Sequence, residues 1–378
     1  MDNTKVSKPR EANLELLRIV AMLMIITLHY LGKSNSLIEY KDISSSEAPL
    51  VNIIIAWFLE AFSYGATNIY VLISGYFCVN TSFRMAKGIK LWLQVFFYSA
   101  GIALIFLLCG GIPAEYSGIY NLSKFFLPVA SNHYWFASVY LLFMMIAPFL
   151  GMIARKLDRK RLLTLIVVLL ILFSRFWRDI LPFTEPVEDS GIGLAWFITL
   201  FFIAAYIRLY VPEIKHKAVP LSIFLASSVL VPASFFAIGA LSDITGRFDN
   251  FTKIAYAYNS VLVTVASVTL FLFFRSMKIK EGFISKAICR IAGLTFGIYL
   301  IHEHLLMRNL WIDLWHADKF FKGNLFIPHL IGTVLAVFII CGAIEFLRSF
   351  IFEKIYKIRP VEKLFEKVSK IDSFFPDK

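Results

Sequence analysis

The sequence predicts an all-α, polytopic integral membrane protein with about ten transmembrane helices and both termini in the cytoplasm. Of the 378 residues, 58% are hydrophobic and the mean hydropathy is +0.71, which excludes an ordinary water-soluble domain. Apolar runs of roughly 20 residues, long enough to cross a bilayer as helices, recur along the chain. Basic residues between these runs alternate in a way that sets their orientation.

The apolar runs define one membrane domain, residues 1–352, and a tail, residues 353–378. In the tail, apolar residues recur every three to four positions among lysines, which predicts an amphipathic helix on the inner leaflet; a frayed basic tail is the alternative. The predicted spans lie near 14–32, 50–78, 88–110, 135–152, 162–178, 192–210, 219–240, 255–275, 291–310 and 329–352.

Lysine and arginine are concentrated in every second loop. "RMAKGIK" follows the second span and "ARKLDRKR" follows the fourth. The loop "RDILPFTEPVEDSG", between the fifth and sixth spans, has a single basic residue and several acidic ones. Because basic residues in short loops stay on the cytoplasmic side, the net charge of +12 mainly reports topology, and nucleic acid is not an expected partner. The four cysteines form no C-x-x-C pair, so we predict neither a disulfide nor a metal site.

The first span contains two polar side chains where apolar ones would insert more readily. Arg18 and His29 are eleven residues apart, which places them within roughly 20° on one helix face and about 16 Å apart along the axis. In one interpretation Arg18 only reaches the inner headgroups and His29 lies at the outer interface. In the other, Arg18 binds the phosphates of an extended donor such as acyl-coenzyme A, and His29 acts near its thioester.

Several elements resemble the membrane-bound acyltransferase 3 family. "NLELLRIVAMLMIITLHY" is similar to the opening of that family, in which arginine, ten residues and histidine occur in the first helix. "NIYVLISGYF" resembles the second-helix element, "HYWFASVYLLFMMIAPFL" a stretch before the middle of the chain, and "LTFGIYLIHEHLL" the late "YLIH" segment. The resemblance covers most of the chain in scattered motifs.

The resemblance implies transfer of an acyl group, usually acetyl, from acetyl-CoA to a hydroxyl of a cell-envelope or exopolysaccharide carbohydrate. It implies Arg18 at the donor phosphates and His29 as general base or transient acyl carrier, in a bacterial cytoplasmic membrane. The family often has two arginines three apart after the second helix; here Lys87 and Lys90 occupy that place, with Arg84 nearby. These three residues are also candidates for binding the donor, or they only mark the cytoplasmic side.

Further polar and aromatic residues at membrane depth are candidates for the site. We expect His302 to lie level with His29 on the acceptor side, and Glu60 to orient His29 as the third member of a relay. Trp135, Tyr76 and Tyr299 are candidates for substrate contact, although Trp135 also suits an interfacial aromatic belt.

Two other functions stay open from the sequence. A transporter or exporter of a free or lipid-linked saccharide would also need many spans and a polar cavity, and internal repeats with broken helices would mark it. A scaffold in a polysaccharide-assembly complex would tolerate apolar residues in place of Arg18 and His29. The expected partners are acyl-CoA, a carbohydrate acceptor and membrane lipids; a homo-oligomer or an assembly complex is also open.

Overall fold

The computed structural model describes residues 11–116, 118–181 and 190–374, and all regular secondary structure in these ranges is helical. The predicted all-α class is therefore confirmed. The basic residues before residue 11 and the last four residues of the tail lie outside the described ranges. The α-helices are α1 Ala12–Lys33, α2 Leu50–Tyr64, α3 Ala66–Cys78, α4 Met85–Leu108, α5 Ile119–Phe126, α6 Trp135–Lys156, α7 Arg159–Phe173, α8 Phe176–Ile180, α9 Leu194–Tyr210, α10 Ala218–Thr245, α11 Val261–Arg275, α12 Phe283–Ala292, α13 Thr295–His302, α14 Leu310–Leu314, α15 Ala317–Phe321, α16 Phe326–Tyr356 and α17 Arg359–Ser369.

Seven helical segments are long and apolar enough to cross a membrane, within the part of the chain that the structure describes. They are α1, α2 with α3, α4, α6, α10, α12 with α13, and α16. The shorter apolar helices α9 and α11 lie where two more spans were predicted, and α7 lies near the predicted span 162–178. The total of ten spans and the side of the termini stay predictions.

The predicted bounds of one span are confirmed, and those of two others differ from the helices. The second span coincides with Leu50–Cys78, with an interruption at Gly65 between α2 and α3. Gly65 lies so close to α11 that a Cβ would be 2.6 Å from the Ser267 hydroxyl oxygen. The ninth span begins at Phe283 instead of 291 and ends at His302, so Glu303 and His304 follow the helix. At the other end of the chain, α16 continues past residue 352 to Tyr356.

The central element is α1, which packs against α2, α3, α11, α12, α13 and α16. From residue 12 to residue 31, each side chain is buried or half-buried. Its beginning is fixed by Asn13, whose side-chain amide donates to the carbonyls of Phe274 and Arg275 at the end of α11. The helix that contains Arg18 and His29 is therefore enclosed by protein, where a polar side chain needs a protein partner or a cavity.

A buried ion pair connects α16 with α4 and α13. Glu345 is 1% exposed and accepts two hydrogen bonds from Arg348, from Nε at 2.7 Å and from Nη2 at 2.6 Å. The Tyr98 hydroxyl on α4 donates to the same carboxylate at 2.6 Å. On α13, Gly297 faces Glu345 so closely that a Cβ there would overlap the carboxyl group. This contact fixes the position of α13 along α16.

We predict that Gly297→Ala destabilises the protein, because the added methyl group must displace a hydrogen-bonded carboxylate. Overpacking of this kind costs about 1–3 kcal/mol, which should lower the apparent melting temperature of the purified protein by several degrees. Gly332→Ala on α16 is the matched control, since nothing lies within 4 Å of its added methyl group. Equal melting temperatures for the two variants would contradict this account of the Gly297 contact.

Candidate functional site

The polar side chains of α1 lie on one stripe of the helix. Arg18 and His29 are in the same unbroken helix, and Lys33, four residues after His29, follows on the same face. The side chains of Arg18 and His29 are 24% and 23% exposed, although α1 is one of the two most enclosed long segments described. Each end of the stripe therefore opens toward a space that the surrounding helices leave accessible.

His29 meets His302 and Glu303 at the end of α13. The His29 Nδ1 atom lies 3.0 Å from His302 Nε2 and 3.1 Å from Glu303 Oε2. The His302 Nδ1 atom lies 2.7 Å from the backbone carbonyl oxygen of Ile298. The predicted closeness of His302 to His29 therefore holds in the structure, and the helix end at His302 is what brings the Glu303 carboxylate to the same nitrogen.

These contacts define which nitrogen of each imidazole carries the proton. A carbonyl oxygen only accepts, so His302 must donate to Ile298 through Nδ1, and its Nε2 is an acceptor when the ring is neutral. Both neighbours of His29 Nδ1 are then acceptors, so this nitrogen is the donor. The Nε2 atom of a neutral His29 therefore carries a free lone pair, which is what a general base requires.

The carboxylate of Glu303 is surrounded by cations as well as by His29. The Lys33 ammonium donates to Glu303 Oε2, and Arg308 Nη1 lies 3.9 Å from Oε1. Glu303 thus accepts a hydrogen bond from His29 Nδ1. Its carboxylate is positioned by Lys33 of α1 and by Arg308, which follows α13.

At the other end of the stripe, Arg18 faces a polar group inside the bundle. Its Nη1 atom lies 3.6 Å from the Glu15 carboxylate, whose side chain is 5% exposed, so Glu15 partly balances the charge. The Tyr70 hydroxyl donates to the Arg18 carbonyl at 3.1 Å. Ser74 and Tyr140 complete the group with their hydroxyl oxygens 2.8 Å apart. The Arg18 guanidinium therefore has a carboxylate partner on its own helix, and its backbone carbonyl lies beside a group of hydroxyls.

Aromatic rings connect the two ends of the stripe. The Tyr70 ring lies 6.1 Å from Phe136, which lies 5.6 Å from Tyr299, which lies 6.2 Å from His302, measured between ring centroids. The Tyr299 hydroxyl is buried and has no hydrogen-bond partner among the described residues. A row of aromatic rings thus extends from Tyr70, beside Arg18, to the histidine pair. The Tyr299 hydroxyl in this row is available as a hydrogen-bond donor.

The residues predicted to bind the donor together with Arg18 differ in their surroundings. Arg84 and Lys87 are exposed at the beginning of α4. Lys90 instead lies over the rings of Tyr356 and Phe365, at 4.6 and 4.9 Å, in contact with the C-terminal helices. The structure therefore leaves Arg84 and Lys87 exposed and places Lys90 against the tail.

Tyr76 is buried at the end of the bundle where α1 begins. Its ring lies 4.5 Å from the Arg208 guanidinium carbon, and Arg208 forms an ion pair with Glu11 at 3.1 Å. Arg275 approaches the same ring at 5.9 Å. Of the predicted substrate contacts, Tyr76 thus lies at the end where α1 begins, and Tyr299 lies beside His302.

Glu60 does not contact His29 in the structure, and the carboxylate in that position is Glu303. Glu60 lies within α2, one turn before Tyr64, and is 7% exposed. Trp135 begins α6, and its ring lies 5.7 Å from Tyr258. The expected relay of His29 with Glu60 is thus not formed, because α2 presents Glu60 to a different group of side chains.

His304 lies outside the histidine pair although it is two residues from His302. Its Nε2 atom donates to the Ser99 carbonyl at 3.1 Å, and its Nδ1 atom accepts from the Leu306 amide at 3.1 Å. Burial lowers the pKa of His304 to about 4, so the ring is neutral at physiological pH. Its role in the structure is to close the turn that presents Glu303.

A cavity of about 590 Å³ lies beside the beginning of α1. Its lining includes Glu11, Asn13, Lys278, Ser285 and Lys286, and neither Arg18 nor His29 contributes to it. Within the described ranges, no three His, Cys, Asp or Glu side chains are grouped as metal ligands.

Neither Glu303 nor Lys33 was predicted from the sequence to belong to the site. The signal was present for Lys33, because it is four residues from His29 and so shares its helix face. For Glu303 the signal was hidden, because the predicted span continued to residue 310 and would have turned Glu303 away from His302.

Comparison with known proteins gives one family match. A family model described as an acyltransferase domain, of the acyltransferase 3 type, matches residues 11–346. Searches of curated proteins and of solved structures gave no match. The matched region begins with α1 and includes each residue of the His29, His302 and Glu303 group.

We predict that His29 is present as the Nδ1–H tautomer, with an unprotonated Nε2, because Glu303 and His302 only accept from it. Nitrogen NMR of the protein labelled with ¹⁵N-histidine at neutral pH should show one protonated and one bare nitrogen for His29. Exposed His216 is the internal control, and its two nitrogens should average with solvent. A His29 spectrum with Nε2 protonated would contradict the arrangement.

Proposed function

Because the chain belongs to the acyltransferase 3 family, we propose that it transfers an acetyl group from acetyl-CoA to a hydroxyl of a cell-envelope or exopolysaccharide carbohydrate. One observation carries the proposal. The free Nε2 lone pair of His29, fixed by His302 and Glu303, lies on the same helix stripe as Arg18, about 16 Å away. That spacing suits a donor with an anionic head and a distant thioester.

In this proposal Arg18 binds the donor phosphates at the cytoplasmic end of the bundle. A guanidinium forms paired, charge-assisted hydrogen bonds to phosphate oxygens, and Lys87 and Arg84 add positive charge nearby. Lys90, engaged with Tyr356 and Phe365, acts indirectly by holding the tail beside α4. The pantetheine arm then extends along the apolar rings between Arg18 and His302.

His29 removes the proton of the acceptor hydroxyl as its oxygen attacks the thioester carbonyl. The C–O bond forms, the C–S bond breaks, and coenzyme A leaves as a thiolate that takes up the proton from His29 Nε2. His302 and Glu303 keep Nδ1 protonated and stabilise the imidazolium that forms. The unused hydroxyl of Tyr299 is a suitable donor to the oxyanion at the carbonyl. Transfer through an acyl-histidine would use the same nitrogen.

We predict that His29→Ala lowers the rate of acetyl transfer by about 10²- to 10⁴-fold, because a positioned base is lost. The measurement is release of coenzyme A from radiolabelled acetyl-CoA by the purified protein in lipid nanodiscs. His216→Ala, at an exposed loop position, is the matched control and should retain the wild-type rate. Undiminished turnover in His29→Ala would exclude the base, and binding of a saccharide without any turnover would favour a transporter.

We predict that Arg18→Lys raises the KM for acetyl-CoA by about tenfold or more, because lysine keeps the charge and loses the paired hydrogen bonds. Steady-state kinetics at saturating acceptor give the KM. Arg161→Lys is the control, since Arg161 is largely exposed in an ion pair with Asp158. An unchanged KM in Arg18→Lys would show that Arg18 does not bind the donor head.

A further inference from the structure

Glu60 has a carboxylate oxygen that is buried without a partner. Its Oε2 atom makes no hydrogen bond within the residues that the structure describes, and the residue is 7% exposed. Lys253 lies over the ring of Trp57, three residues before Glu60, at 5.5 Å, yet its ammonium is bound to Glu39. A buried carboxylate oxygen is unfavourable unless a donor reaches it, so this position requires a hydrogen-bond donor from outside the chain or a proton.

A group of three partly exposed aromatic rings begins one helical turn after Glu60. Tyr64 follows Glu60 by one turn of α2, and its ring stacks on Tyr258 at 5.0 Å with an angle of 29°. The Trp135 ring lies 5.7 Å from Tyr258 at 31°. These three side chains are half-buried, so part of each is accessible to a ligand. The three rings form a rim that begins beside Glu60.

The rim is continuous with the histidine pair. Tyr258 lies in the loop before α11, and its neighbour Trp135 lies 5.8 Å from Phe136, measured between ring centroids. Phe136 in turn lies 5.6 Å from Tyr299, whose ring lies 6.2 Å from His302. Since Glu303 Oε2 is 3.1 Å from His29 Nδ1, a ligand on the rim would extend toward the proposed base.

We propose that Glu60, Tyr64, Tyr258 and Trp135 form the acceptor subsite, in which a sugar ring packs on the aromatic faces and donates hydroxyl hydrogens to Glu60. The proposal rests on the proposed function and gives Glu60 a role in choosing the acceptor instead of a role in proton transfer. A sugar ring matches the site because one face is apolar and its adjacent hydroxyls donate to a carboxylate. A neighbouring hydroxyl is then presented to His29.

The test compares two acceptors that share an alkyl tail, octyl β-D-glucopyranoside and 1-octanol, in detergent-free nanodiscs. For Glu60→Gln we expect the KM for the glucoside to rise about tenfold or more, with a much smaller change for 1-octanol, which offers no second hydroxyl. Tyr64→Ala should raise the glucoside KM, and Tyr64→Phe, which keeps the ring, should restore it. Glu47→Gln, at an exposed glutamate, is the control. Melting temperatures verify that each variant is folded.

An equal rise in the KM for both acceptors in Glu60→Gln would overturn the subsite. Glu60 would then have a structural or catalytic role. Equilibrium binding of radiolabelled octyl glucoside separates the two proposals. Binding that is retained in His29→Gln and lost in Glu60→Gln supports the subsite even if no acetyl transfer occurs, in which case only the proposed function fails. His29-dependent release of coenzyme A with no glucoside binding by the wild-type protein would overturn the subsite alone.

Discussion

The contact between the ends of α1 and α13 is the interaction on which the site depends. A histidine inside a bundle of membrane helices is unfavourable unless each ring nitrogen has a suitable partner. Here the Ile298 carbonyl sets the tautomer of His302, and His302 with Glu303 sets that of His29. The Ile298 carbonyl of α13 thus determines, through the rings of His302 and His29, which nitrogen of His29 on α1 has the free lone pair.

This arrangement requires α13 to end where it does. If the helix continued past His302, the next residue would point about 100° away, and its carboxylate would leave His29. The end at His302 is secured on both sides. His304 closes the turn with hydrogen bonds to Ser99 and Leu306, and Gly297 fixes the helix against Glu345. Contacts remote from the histidines therefore control the geometry of the histidines.

Much of the fold followed from the sequence, because apolar length and helical period are local properties. The stripe of Arg18 and His29 was predicted correctly as a feature of one unbroken helix. What the sequence did not reveal depended on contacts between distant segments. Examples are the close approach of α11 to Gly65 and the contact of Lys90 with the C-terminal helices, more than 260 residues away. Pairings of this kind leave no periodic signal, so Glu303 was overlooked and Glu60 was assigned to the wrong neighbour.

The tail also reaches the beginning of α4. The Asp372 carboxylate accepts a hydrogen bond from the Met85 amide at 2.8 Å, and 287 residues separate the two. The first amide of α4 is therefore satisfied by a segment that the ribosome produces long after α4 itself has been synthesised. During biosynthesis this amide must be hydrated until the tail arrives, so the region near Arg84 and Lys87 acquires its final shape only late in assembly. A nascent chain without its tail would accordingly have an unfinished surface on that side.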